Sequence, residues 1–104
     1  MKRINYNQEQ IEIIIEKKKL FGGVKEEVIS IQLNEIAKVT KELIGGSVVG
    51  LTIFFINGNE EHIDMSDVEN AITDELFNFL QENKSNYIYK IAIFNVDTLE
   101  EEII

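Results

Sequence analysis

The chain has 104 residues, neither cysteine nor proline, and a formal net charge of -9. One domain of ordinary size is all that this length supplies, and the missing cysteines exclude a disulfide framework, a thiolate nucleophile and cysteine-ligated zinc. The charge is lopsided, eight Lys/Arg against seven Asp/Glu in residues 1–52 but two (Lys84, Lys90) against twelve in residues 53–104, so the field argues against general nucleic-acid binding and against a membrane surface.

"MKRINYNQEQ" has no apolar stretch after its two positive charges, which predicts neither a signal nor a transit peptide. A short first strand is expected near Ile4 to Tyr6. "QIEIIIEKKK" sets Ile11, Ile13 and Ile15 on one side and Glu12, Ile14 and Glu16 on the other, the period of a half-buried strand. "KEEVISIQL" repeats the device, with Ile29, Ile31 and Leu33 inward and Val28, Ser30 and Gln32 outward. After a break at Asn34 and Glu35, a strand from about Ile36 to Leu43 reverses at Gly45-Gly46 into Val48 to Phe55. The longest apolar run, Val48 to Ile56, is half a membrane span, so no span is expected and the chain reads as cytoplasmic. Its abundance of isoleucine, asparagine and lysine suggests a bacterial or phage source.

"LTIFFINGNEEHIDMS" then poses a question of register. Asn57-Gly58 is a strong signal for a two-residue hairpin loop, yet that loop sets Asp64 opposite Leu51 and mixes polar with apolar on both faces. A three-residue loop, Ile56-Asn57-Gly58, with Gly58 in the left-handed position, sets Ile63 across from Leu51 and Met65 across from Val49. Val49, Leu51, Ile53, Phe55, Ile63 and Met65 then share the core face, while Glu60, His62 and Asp64 lie outside with Thr52 and Phe54. The odd-length loop is the prediction.

From Ser66 the period becomes helical. Ser66 and Glu69 read as a capping box, with Asp67 and Glu69 favourable at the positive end of the dipole. Val68, Ala71, Ile72, Leu76, Phe79 and Leu80 form the expected buried stripe of a helix over about 66–82. "YIYKIAIFNV" reads as a last strand over about 87–96, apolar on both faces, and "DTLEEEII" as a fraying acidic tail. The division is therefore one domain over 1–96 and a tail over 97–104. The class is α+β, mainly β: an antiparallel meander rolled into a partial barrel and capped by one long helix, with an extra C-terminal strand.

Residues 24–83 carry a resemblance. "VISIQLNEIAKVTKE", then "GSVVGLTIFFINGNEEHIDMS", then "DVENAITDELFNFLQEN" are similar to the second half of bacterial pleckstrin-homology-like (PH-like) domains. In that pattern an apolar-x-apolar-x-Leu-x-x-Ile-x-x-Val strand (here Ile29, Ile31, Leu33, Ile36 and Val39) leads to a long hairpin and a capping helix. The resemblance implies a PH-like roll and a role in binding proteins, peptides or lipids, or in oligomerisation.

Chemistry is sparse. A carboxylate beside an imidazole can orient a general base, which singles out His62 with Glu60 and Asp64. But residues two apart on a strand are about 7 Å apart, too far for dependable hydrogen bonding unless long side chains reach across, and no nucleophile pattern surrounds them. His62 is therefore read as a solvated strand residue, and no catalytic residue is assigned: the chain is not expected to be an enzyme. One histidine and scattered carboxylates match neither zinc spacing nor a calcium loop, and Gly22-Gly23 and Gly45-Gly46 are turns rather than phosphate loops. No metal and no cofactor is expected.

Two surface features remain. Lys17, Lys18, Lys19 and Lys25 surround Leu20 and Phe21. Some eukaryotic PH-like domains hold inositol phosphates on basic residues of an early loop, which makes these lysines the candidate anion contact; the arginine of that pattern is missing, and edge lysines also serve to discourage aggregation. The second feature is surplus apolar surface: Ile14, Phe54 and Ile56 on outward faces, and Ile88, Ala92, Phe94 and Val96 besides Tyr87, Tyr89, Ile91 and Ile93 on the last strand. Phe54, Ile56, Tyr87, Tyr89 and Phe94 are the candidate contacts to a protein partner or to a second copy of the chain. The expectation is a non-enzymatic protein-binding or assembly domain acting through a sheet edge or the C-terminal strand. The alternative is an acidic phage or mobile-element inhibitor that mimics nucleic acid on a basic host protein, with Asp67, Glu69, Asp74, Glu75 and Glu82 on or near one helix.

Overall fold

Alternating isoleucines build the first layer of the computed structural model, which describes residues 2–87 and 89–104. Lys2–Tyr6 (β1), Gln10–Lys18 (β2) and Val24–Gln32 (β3) form an antiparallel sheet in the order β1-β2-β3. Ile11, Ile13 and Ile31 turn inward and are buried, while Val28 on the opposite face is half exposed. Ile14, read as surplus, is also buried, between Arg3 and Val28 on the neighbouring strands.

A single 3-10 turn, Leu33–Glu35, where the alternation breaks, carries the chain into a second sheet. Ile36–Ile44 (β4), Ser47–Phe55 (β5) and Glu60–Asp64 (β6) are its hairpins, Asn70–Asn83 (α1) the crossover, and Lys90–Asn95 (β7) and Glu100–Ile103 (β8) its remaining strands, in the order β6-β5-β4-β7-β8. The class is α+β and mainly β.

The expected continuous meander is corrected at one place, since it splits into two sheets at Leu33–Glu35. The extra C-terminal strand, β7, lies parallel to β4. The parallel pairing follows from the crossover, because a helix between strands can return the chain in the direction it left. The tail is corrected too. Instead of fraying, Glu100–Ile103 pairs antiparallel with β7, Phe94 facing Glu101 and Ala92 facing Ile103, so β7 has a strand on each edge within its own chain. Ile88 lies outside the described residues.

The three-residue loop is present: Gly58 has φ of 92°, Phe55 N–H donates to the Asn59 carbonyl, and Leu51 faces Ile63 with Thr52 facing His62. At the other end of β5 the parity differs from expectation. Leu43 pairs with Val48 and Glu42 with Gly50, so Val49 is the extra residue of a bulge. Val48, not Val49, therefore enters the core.

The helix is shorter at its start and rotated. Glu69 is its N-cap and makes no side-chain cap bond; Ser66 instead gives both its N–H and its hydroxyl to Asp64 Oδ1, at 2.9 and 2.6 Å, which displaces the expected capping box. The buried face is Thr73, Leu76, Phe77 and Leu80, with Ala71 and Ile72 outside. A threonine at the centre of the stripe hid its true phase. One core joins both sheets and the helix, from Ile11, Ile13 and Leu33 through Leu51, Ile53 and Ile63 to Leu76, Leu80 and Ile91. Burying such side chains stabilises by roughly 1.5–3 kcal/mol each. No helix among the described residues is long and apolar enough to cross a membrane.

Candidate functional site: the open face of the five-stranded sheet

Strand periodicity puts alternate residues of β4, β5 and β7 into the core they share with α1 and, among the described residues, the rest on the opposite face, called open here. Cross-strand pairing aligns that open face in rows. His62, Thr52, Thr40, Ala92 and Ile103 form one row across all five strands; Asp64, Gly50, Glu42, Phe94 and Glu101 form the next; Glu60, Phe54, Lys38 and Lys90 form a third.

Hydrogen bonds tie the rows together. Thr52 Oγ1 donates to Glu42 Oε1 at 2.5 Å and stands 3.0 Å from His62 Nδ1, and His62 Nε2 stands 3.1 Å from Glu60 Oε2. His62 and Glu60 meet because a long glutamate arm and the tip of the ring span the strand repeat. Asp64 takes a different role: Ser66, through its hydroxyl first and its N–H second, holds the Asp64 carboxyl below the usual carboxylate range. The His62 side chain remains 70 % exposed, so the ring faces water even as it touches a hydroxyl. Thr52, placed outside with it, is 4 % exposed, too enclosed to attack a substrate.

Glu42 is seated with unusual care. A Cβ on Gly50 would lie 3.3 Å from the Glu42 carboxylate carbon and Oε2, and Gly50 is the one glycine whose φ is not positive. Its lack of a side chain leaves room for the carboxylate rather than serving a turn. Beside it, Lys38 Nζ lies 4.8 Å from the Phe54 ring centroid and 2.8 Å from Glu101 Oε1, a cation held between an aromatic face and a carboxylate. Thr40, Glu42, Thr52, Phe54, His62, Phe94 and Glu101 line a groove of about 320 Å³.

The sequence candidates divide. Phe54 and Phe94 come together as walls of this groove. Ile56, 68 % exposed, stands apart at the β5–β6 hairpin, beside Asn34, Glu35, Phe55 and Asn57. Tyr89 is buried, donates to the Leu80 carbonyl at 2.6 Å, and is pushed up to about 12 by desolvation and then by Tyr87; it is part of the core, not a surface contact. Tyr87 stacks on Tyr89 at 6.1 Å and donates to the Gln8 carbonyl, which ties it to the β1–β2 turn. Lys17, Lys18, Lys19 and Lys25 are exposed around the β2–β3 hairpin tip, where Leu20 and Phe21 are bare. Lys17 already pairs with Glu27 at 3.2 Å and faces Lys25.

Thr40, Thr52, Glu42 and Gly50 were missed by sequence reasoning. Thr52 could have been found, because the predicted loop itself sets it opposite His62; Glu42 and Gly50 depend on the bulge. Among the described residues no group of three or more His, Asp or Glu is placed to hold a metal ion. No family model, curated protein or solved structure matches the chain.

Proposed function

We propose that this protein is a non-enzymatic protein-binding domain, of the class the PH-like resemblance implies, that receives its partner on the open face of the five-stranded sheet. The single observation behind this reading is the pair Phe54 and Phe94, two half-buried rings flanking a groove on the sheet face opposite the core. The C-terminal strand is a poorer edge for a partner, since β4 and β8 occupy both of its sides. The setting proposed is cytoplasmic, in keeping with a chain that lacks cysteine.

The acidic-mimic reading rests on the exposed Asp67, Glu69, Asp74, Glu75 and Glu82. Lys2 lies 2.8 Å from Asp67 and Lys41 lies 3.9 Å from Asp74, which removes part of the free charge that such mimicry needs. Affinity capture from source cells at low and high salt separates the two. Docking on the open face predicts capture that survives high salt and is lost in a Phe54→Ser/Phe94→Ser variant. Capture that ignores both substitutions and collapses with salt favours the mimic.

A further inference from the structure

We propose that the groove between Phe54 and Phe94 seats an arginine side chain presented by the partner, with Glu42 as its anchoring carboxylate; this rests on the open face being the docking surface. Four observations converge. The groove and its rim carry Glu42, Glu60 and Glu101 against Lys38 as the resident cation, with Lys90 next to Lys38 in the same row. Gly50 is bare where the Glu42 carboxylate rests, and Thr52 donates to Glu42 Oε1, so the carboxylate is held in place from both sides.

Lys38 shows that this surface already holds a cation on Phe54 and a carboxylate together. Finally, Thr40, which lines the groove, is 6 % exposed and its Oγ1 has no hydrogen-bond partner. A buried hydroxyl left unpaired is costly unless something completes it.

A guanidinium fits this set better than an ammonium. Its plane lies against an aromatic ring while its fork of N–H groups gives one bond to Glu42 and, once the side chains over it part, another to the Thr40 hydroxyl, which is closed to solvent in this structure. A lysine ammonium is a compact point charge and duplicates what Lys38 supplies.

The test is an NMR titration of the full chain, following the amides of Gly50, Thr52 and Phe94, with N-acetyl-arginine methylamide, its lysine analogue and the neutral citrulline analogue. The arginine probe is expected to give saturable shifts with a Kd on the order of a millimolar, the lysine probe weaker ones, and citrulline none. Glu42→Gln keeps an acceptor for Thr52, and should weaken the arginine probe at least about tenfold. Lys38→Met removes the resident competitor, and should strengthen it by roughly threefold.

No saturable shift with arginine, an equal response to citrulline or lysine, or unchanged binding by Glu42→Gln overturns the proposal. Cellular capture that needs Phe54 and Phe94 while the titration is silent also sinks it and leaves the docking face standing. A specific titration in a protein whose capture ignores both phenylalanines supports the groove and sinks the docking face.

Discussion

The two faces of the five-stranded sheet are made by the same strands, often by adjacent residues, yet they are built to opposite rules. Under α1, Val39, Leu51, Ile53 and Ile91 are 0–1 % exposed and wholly apolar. One residue along each strand, Thr40, Thr52 and Ala92 are almost as buried, but they sit among Glu42, His62, Lys38 and Glu101, where side chains are joined by hydrogen bonds and ion pairs. Burial alone therefore does not mark a core. The covered face excludes water by packing, whereas the open face does so with long polar arms that a competing group could displace.

Substitution can sharpen this contrast, and the covered face should respond most. Leu51→Ala is expected to cost about 2–5 kcal/mol in denaturant unfolding, because it removes buried methyl groups where the sheet cannot collapse. Thr52→Val, one position along, keeps the volume and removes the donor to Glu42, for an expected loss of about 1 kcal/mol. Equal losses at the two positions would erase the distinction between the faces.

Tyr89 tests the rim of the covered side. Its folded pKa lies above its unfolded value of about 10, so the folded state holds the phenolic proton more tightly. Stability is then full below pH 10 and falls as pH rises from 10 toward 12. Tyr89→Phe should abolish that alkaline slope in unfolding measurements, at a cost of about 1 kcal/mol near neutrality for the lost bond to Leu80.

The smallest effects belong to exposed groups. Lys2, by hydrogen bond first, holds the Asp67 carboxyl below its usual range. That contribution is present above the unfolded value near 3.8 and is lost as pH falls through the lower folded one. With Asp67 half exposed, Asp67→Asn should cost only a few tenths of a kcal/mol, and less in high salt. Gly50→Ala should leave stability within about 1 kcal/mol, since the atoms it meets end a flexible side chain. It should nevertheless shift the Thr52 resonances as Glu42 is pushed aside.

How much of this was legible depends on the range of the interaction. Alternation places Ile11, Ile13, Ile31, Leu51, Ile53 and Ile63 inside, and the demand that Ile63 face Leu51 dictates the odd-length loop. These are short-range constraints, written in neighbouring residues. The parallel pairing of β4 with β7 joins Val39 to Ile91, and no local pattern records which edge a distant strand will choose. The open-face site was hidden for the same reason: Thr40 and Glu42 reach Phe94 and Glu101 only once that edge is chosen. The bulge after Glu42 and the threonine inside α1 each shifted a phase that local reading had assumed unbroken.

The place of β4 at the centre of its sheet has a kinetic consequence. During vectorial synthesis the hairpins of β4, β5 and β6 can zip together while the strand destined for the other side of β4 has yet to emerge. Until then the backbone of Lys38 to Leu43 offers a ready template to any passing chain. Its rescue waits on closure of a loop some fifty residues long, the kind of event that slows refolding and makes its yield fall with concentration.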